Sequence, residues 1–248
     1  EPEHHRLVVG AELGADHEAV VFRLLPKERA TGVFEHLPFE AQEGLLRSLG
    51  DKDVAVILDD MSPDDRTELL GELPGKVTKR LVNMLSPEER DVATRLLGYP
   101  EESIGRLMTP DYVQVKPFWT VREALDHVRL YGRDSETLNV VYVTEKGGRL
   151  VDDLRMRELL LIDPDARIAE LMDLQFVALE AHADQEEAVA EFRKHDRTAL
   201  PVVDSDGILV GIVTVDDVLD VAEAEATEDI HLLGGSSAFD EPYLSTVS

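Results

Sequence analysis

Hydrophobic residues recur every twelve positions along the N-terminal part of the chain. Further apolar residues usually stand four and three positions before each repeated one, a spacing typical of the buried face of a helix. Twelve residues make about 3.3 helical turns, so the apolar face of one continuous helix would rotate by about a third of a turn at each repeat. One long helix is therefore excluded. The repeated positions are Leu13, Leu25, Leu37, Leu49, Met61, Leu73, Leu85 and Leu97.

Helix-breaking residues follow the repeated Leu or Met each time. A proline or glycine at that place ends one short helix and starts the next. The pattern predicts a stack of short helices, a small α-solenoid, over residues 1–98. The alternative is an ordinary helical bundle with accidental spacing. The breakers are Gly14, Pro26, Pro38, Gly50, Pro63, Pro74, Pro87 and Gly98.

The period changes beyond residue 104, where a longer repeat begins. The stretch 105–128, "GRLMTPDYVQVKPFWTVREALDHV", recurs 64 residues later as 169–192, "AELMDLQFVALEAHADQEEAVAEF". Each copy has a short extended segment and an amphipathic helix, followed by two predicted strands. Gly147-Gly148 and Asp206-Gly207 provide the hairpin turns between those strands. The sequence predicts a β-α-β-β-α unit, twice.

Negative charge is concentrated in the C-terminal part. Residues 1–98 carry 12 bases and 20 acids (net −8), residues 99–248 carry 13 and 32 (net −19), and the whole chain carries −27. Such a charge repels phosphate backbones, so nucleic acid is not expected as a partner. The chain has no cysteine, no histidine pair at metal-ligand spacing and no motif of a catalytic site, and we expect no enzymatic activity.

The stretch 211–235, "GIVTVDDVLDVAEAEATEDIHLLGG", begins as a buried strand and continues as an acidic helix. Carboxylates three or four residues apart on a helix repel each other, by about 0.2–0.5 kcal/mol for each pair. No base offsets them within this stretch, because Arg197 is the last Lys or Arg of the chain. The negative charge therefore does not serve the stability of this helix, and we expect it to have another role.

The duplicated unit resembles the cystathionine-β-synthase (CBS) repeat pair, a regulatory module, over roughly residues 104–222. In that family a run of Gly-apolar-apolar-Thr-x-x-Asp can hold the ribose and phosphates of an adenine nucleotide. Gly211, Thr214 and Asp217 match this run in the second copy. A capping box at the start of the helix is the alternative role for Thr214 and Asp217, and it needs no ligand. Both roles can hold at once.

The first copy departs from that run. Asp152, Arg155 and Glu158 stand where the second copy has its Gly, Thr and Asp. The resemblance implies that Glu158 could still contact a ribose and Arg157 a phosphate, but the small turn residue is missing. We therefore expect ATP to bind weakly or not at all.

The chain as a whole resembles the cytosolic part of the MgtE-type magnesium transporters and channels. The likeness rests on the short helical repeats, on "GYPEESIGRLMTP" (98–110) and on "VAEAEATEDIHLLGG" (221–235). It implies a regulatory fragment at the cytoplasmic face of a multi-pass membrane protein, a homodimer formed through the CBS pair, and a covalently linked transmembrane pore domain beyond this sequence. The implied parts are a helical-repeat N domain (1–98), two CBS repeats (99–163 and 164–222), and an acidic connecting helix with its tail (223–248).

The same resemblance implies a set of Mg²⁺ ligands. Mg²⁺ keeps most of its water and is held by a few carboxylates. Asp64 and Glu68 of the N domain would face Asp217, with further ligands on the connecting helix and in the second repeat; these are Asp220, Glu225, Glu228, Glu186 and Asp196. Gly32 stands where an acidic ligand is expected. An ordinary surface charge is the favoured reading of Asp59, Asp60, Asp65 and Glu223.

These expectations combine into a switch. Repulsion between acidic surfaces would hold the N domain and the CBS pair apart when Mg²⁺ is scarce, and hydrated ions between them would draw them together. Two rival functions stay open at this point: an adenine-nucleotide sensor that controls another membrane protein, and a helical-repeat scaffold for which neither ligand matters.

Overall fold

The computed structural model describes Phe22, Leu24, Leu25 and residues 27–237, without the side chains of 27, 28 and 228–237. It divides into two compact units, with the boundary between Thr94 and Arg95. The predicted domain boundary after residue 98 lies four residues beyond that division.

The first unit is a succession of short helices, as the twelve-residue repeat predicts. Pro38, Gly50 and Pro74 each directly precede a helix, and Pro63 and Pro87 are the first residues of theirs. Gly14 and Pro26 lie outside the described residues. The helices are α1 (Lys27–Glu35), α2 (Phe39–Ser48), α3 (Asp51–Asp60), α4 (Pro63–Glu72), α5 (Gly75–Val82) and α6 (Pro87–Leu96).

The core of this unit consists largely of the repeated apolar positions. Leu49, Met61, Leu73 and Leu85 are all buried. A fully buried cation lies among them, because the Arg66 guanidinium of α4 donates to the carbonyls at the end of α3 and forms an ion pair with Glu89 of α6. This side chain connects α3, α4 and α6.

The second unit contains the predicted β-α-β-β-α arrangement twice. A short helix, α7 (Ile104–Leu107), precedes it. The first copy consists of β1 (Gln114–Val115), α8 (Val121–Tyr131), β2 (Val140–Thr144), β3 (Leu150–Arg155) and α9 (Met156–Leu161). The second consists of β4 (Leu179–Glu180), α10 (Gln185–Lys194), β5 (Ala199–Val203), β6 (Leu209–Thr214) and α11 (Val215–Ser237).

Each copy has one small mixed sheet. The strand orders are β1-β2-β3 and β4-β5-β6. The short strands β1 and β4 pair parallel with β2 and β5, and the hairpins β2-β3 and β5-β6 are antiparallel. Gly147, Gly148 and Gly207 adopt positive φ at the predicted turns, a conformation that costs glycine little.

The two copies are joined by hydrogen bonds between the segment before β1 and strand β6. Thr109 and Ile212 exchange backbone hydrogen bonds of 2.9 Å, and the Tyr112 hydroxyl donates to the carbonyl of Leu209 at 3.0 Å. An apolar cluster that includes Val140, Tyr142, Ala199 and Ile212 draws on β2, β5 and β6, and so on both copies. The unit therefore folds as one body built from two repeats.

The acidic helix is continuous with the second repeat. α11 runs without a break from Val215 to Ser237, so the predicted boundary at residue 223 lies inside a helix. Among the described residues, no helix is both long enough and apolar enough to span a bilayer.

Candidate functional site

The start of α11 carries the motif that the sequence singles out in the second repeat. Both the backbone N–H and the hydroxyl of Thr214 donate to the Asp217 carboxylate, at 3.3 and 2.5 Å. This is the half of a capping box in which the third helical residue reaches back to the N-cap, so the capping role of Asp217 is confirmed. Asp217 is only half-exposed, whereas Asp220 further along is exposed.

The predicted ligands on α11 follow one another along a single rigid element. Asp217 and Asp220 are three residues apart, and Glu225 is half-exposed about one and a half turns later. The side chain of Glu228 lies outside the described residues. The helix therefore presents these carboxylates one after another along its length and not as a pocket, with Asp220 and Glu225 about 140° apart around its axis.

Close packing of β6 against the segment of Met108 and Thr109 explains the glycine of the motif. A Cβ on Gly211 would lie 2.7 Å from the Sδ of Met108 and 2.9 Å from the carbonyl oxygen of Thr109. Only a residue without a side chain allows the segment around Thr109 to pair with β6 at this distance.

The first repeat has an aspartate, Asp152, at the position equivalent to Gly211. Asp152 is buried, and its Oδ2 accepts the backbone N–H groups of Asp173 and Leu174, at 2.9 and 3.0 Å. Arg157 and Glu158, the candidate nucleotide contacts, are exposed in the first turn of α9. The residue before that helix, Arg155, provides no side-chain cap. The nucleotide motif of the first repeat is thus altered in structure as well as in sequence.

In the helical unit the two predicted ligands have different surroundings. Asp64 is 8% exposed, and its Oδ1 accepts the N–H of Asp65 at 3.1 Å. Burial raises the pKa of Asp64 above the ordinary aspartate value. Glu68, one turn later, is exposed. Asp64 would therefore have to turn outward before it could meet an ion beside Glu68.

Carboxylates that the sequence analysis did not select accompany Glu68. A cavity of about 170 Å³ is lined by Glu35, Asp65, Glu68 and Glu72, together with Gln42. Burial raises the pKa of Glu35, and the neighbouring Asp65 raises it further, although the N–H of Ser62 donates to this carboxylate and opposes the shift. Asp65, Glu68 and Glu72 are three and four residues apart, and this spacing in the sequence indicates that they share one side of α4.

The remaining pair of predicted ligands lies at opposite ends of one helix. Glu186 is in the first turn of α10 and Asp196 lies two residues after its last residue, Lys194; both are exposed. The helical residues between them span roughly 12 Å at 1.5 Å per residue, so the two carboxylates cannot bind one ion directly. Over the whole described part of the chain, no three His or carboxylate side chains converge closely enough to hold a metal ion.

Comparison with known proteins gives matches to both units. A family model described as the MgtE intracellular N domain matches residues 9–102, and a model of the CBS domain matches residues 168–224. The magnesium transporter MgtE of Thermus thermophilus is 42% identical over 240 residues, which cover 96% of this chain and 53% of the relative. The magnesium transporter MgtE of Bacillus subtilis is 31% identical over 225 residues, covering 91% and 50%.

A solved structure agrees with these matches. The crystal structure of the cytosolic domain of the Mg²⁺ channel MgtE in complex with ATP is 41% identical to this chain, with a TM-score of 0.81; the match covers 85% of this chain and 86% of the other. The chain spans about half the length of the two curated relatives.

Proposed function

Because this chain belongs to the MgtE family, as its cytosolic region with an N domain and a CBS pair, we propose that it senses Mg²⁺ and controls a magnesium transport pore. The pore would belong to a transmembrane domain linked to this chain, and the chain would lie at the cytoplasmic face of the membrane. The curated relatives, about twice as long as the matched region, carry the name of magnesium transporters.

The observation that carries the proposal is the row of carboxylates on α11. This helix continues directly from the second repeat to Ser237, with no Lys or Arg after Arg197 to offset its charge. Hydrated Mg²⁺ is a suitable counter-ion for such a row, because it needs few direct protein ligands. The proposed ligands are Asp64, Glu68, Glu186, Asp196, Asp217, Asp220, Glu225 and Glu228.

The mechanism is an equilibrium between separated and associated units. Mg²⁺ would bind the associated form more tightly, because only there would carboxylates of both units share the hydrated ions. To carry such an equilibrium from 1:99 to 99:1 needs about 5.5 kcal/mol of differential binding. Several weak sites together can supply this free energy and one cannot, so the response to Mg²⁺ should be cooperative.

We also propose a homodimer through the CBS pair. Leu160 on α9 and Leu219 on α11 occupy matching positions in the two repeats and are 63% and 59% exposed. Exposed leucines at the same place in both repeats suit a two-fold symmetric contact with a second copy.

Small-angle X-ray scattering across a Mg²⁺ titration, at fixed ionic strength, tests the proposed switch. We expect compaction with a Hill slope above one. Asp217→Asn should move the midpoint to higher Mg²⁺, while Glu170→Gln, which removes an exposed carboxylate outside the proposed set, should leave it in place. Identical scattering with and without Mg²⁺ would contradict the proposal.

ATP binding is a second candidate function, favoured by the related structure that contains ATP. We infer that this chain binds ATP weakly if at all through Arg157 and Glu158, because a buried Asp152 replaces the glycine of the motif. Titration calorimetry with ATP in the absence of Mg²⁺ decides the point, and tight binding would assign the chain to the nucleotide sensors.

A further inference from the structure

A buried ion pair connects the two repeats at a place that neither repeat motif predicts. Nη1 of Arg197, in the loop between α10 and β5, lies 3.0 Å from Oδ2 of Asp153 on β3. The two side chains are 18% and 3% exposed. Asp153 stands opposite Tyr142 in the β2-β3 ladder, so the ion pair borders the apolar cluster that the two repeats share.

Arg197 is the centre of a short segment that holds two parts of the proposed Mg²⁺-binding surface. Asp196 directly precedes it and is exposed. Thr198 directly follows it, and its carbonyl accepts the N–H of Val215, the first residue of α11, at 3.0 Å. On the other side the segment continues from α10, whose end is capped by the N–H of His195 donating to the Glu191 carbonyl.

The ion pair is one of the contacts that hold this segment, together with the N–H of Arg197, which donates to the carbonyl of His195 at 2.9 Å. With its guanidinium held inward by Asp153, Arg197 leaves the adjacent Asp196 facing solvent and presents the Thr198 carbonyl to the first turn of α11. Loss of one partner would leave the other charge buried and uncompensated, and the segment would have to shift to hydrate it. Such a shift moves Asp196 and the helix start that carries Asp217.

We propose that Arg197 is a positioning residue for cation binding: through its ion pair with Asp153, it sets the orientation of Asp196 and of the first turn of α11. The proposal rests on the proposed function, in that Mg²⁺ is taken to bind at Asp196 and Asp217. It assigns to the last Lys or Arg of the chain a role in holding the acidic surface in place.

The direction in which one substitution shifts the Mg²⁺ midpoint separates this positioning role from a simple charge effect. Arg197→Met removes a positive charge beside the acidic surface, so electrostatics alone would strengthen cation binding and lower the Mg²⁺ midpoint. Loss of positioning predicts the opposite, a midpoint raised by about fivefold, within the usual range of coupling between sites. Arg193→Met is the matched control, because Arg193 is exposed in the last turn of α10; its midpoint should stay or fall slightly.

Two further variants keep the test decisive if Arg197→Met folds poorly. Asp153→Leu combined with Arg197→Met leaves the net charge unchanged and replaces a buried ion pair by apolar groups, which proteins commonly tolerate. We expect a raised midpoint in this variant too. Arg197→Lys keeps the charge near Asp153 and should restore most of the wild-type response.

The full chain is titrated with MgCl₂ at fixed ionic strength, and compaction is followed by scattering. If the wild type compacts while Arg197→Met and the double variant show an unchanged or lowered midpoint, the positioning role is wrong and the proposed function stands. If the wild type itself does not respond to Mg²⁺, the proposed function fails and the positioning role fails with it. A raised midpoint in both variants, with Arg193→Met unaffected, supports the proposal.

Discussion

The two repeats of the second unit perform the same structural task with different chemistry. Gly211 lies opposite Val202 on β5, and Asp152 lies opposite Val143 on β2, so the two residues are equivalent in the two sheets. At Gly211 the segment of Thr109 pairs with the backbone of β6. At Asp152 a carboxylate accepts the N–H groups of the equivalent segment instead.

The difference teaches that one position decides how each repeat is attached to its neighbour. Glycine leaves room for backbone pairing, whereas aspartate fills that room and replaces the missing acceptor with its own oxygen. Aspartate in place of glycine has a local cost in backbone strain. Leu174, whose N–H donates to Asp152, has a positive φ of 60°. Pro110, which is the counterpart of Leu174 in the other copy, has no positive φ.

The largest effect is expected from Asp152→Ala. The change removes a buried carboxylate that accepts hydrogen bonds from Asp173, Leu174 and Asp153, and it leaves a small cavity. We expect the free energy of unfolding to fall by about 2–4 kcal/mol, measured by urea denaturation. Asp152→Asn keeps an acceptor oxygen and should lose clearly less. Equal losses in both variants would mean that the charge matters more than the acceptors.

Gly211→Ala should have a smaller effect of the same sign. The new Cβ would press against the Met108 side chain, which can move, and the Thr109 carbonyl, which moves less easily. We expect a loss of about 1–3 kcal/mol in the same denaturation measurement. Gly44→Ala is the control, because a Cβ there meets nothing within 4 Å and should stabilise α2 by up to about 1 kcal/mol. A neutral Gly211→Ala would show that the segment of Thr109 adapts freely.

The smallest expected effect is a gain in stability from Leu174→Gly. Leu174 is 66% exposed, so its side chain contributes little burial, and glycine adopts its φ without strain. The free energy of unfolding should rise by up to about 1 kcal/mol in thermal or urea unfolding. Glu102→Gly, at another positive φ, provides a parallel comparison. A destabilised Leu174→Gly would show that the leucine packs more firmly than its exposure indicates.

Periodicity predicted the architecture because it reflects which residues must be buried. The twelve-residue repeat gave the short helices of the first unit, and Leu49, Met61 and Leu73 are buried where it placed them. The duplication of 105–128 gave the two β-α-β-β-α copies, including their hairpin turns. The predicted relationship to the MgtE family is confirmed as well.

Periodicity predicted less about the candidate site than about the architecture. The sequence does not show which of two adjacent carboxylates points inward. Asp64, which the resemblance implies as a ligand, is buried, and Asp65, interpreted as a surface charge, lines the cavity beside Glu68. The pair of Asp153 and Arg197 joins residues 44 positions apart in different repeats, which no local pattern can indicate. Mg²⁺ binding by the selected carboxylates stays a prediction.

The unbroken α11 also has a mechanical consequence. At 1.5 Å per residue, its 23 residues form a rod of about 34 Å. A tilt of about 10° around its first turn, where Thr214 and Asp217 anchor it, would displace its far end by roughly 6 Å, the length of about one helical turn. Residues around Thr214 thus act as the fulcrum of a lever, in which sub-ångström adjustments at one end become displacements of several ångströms at the other.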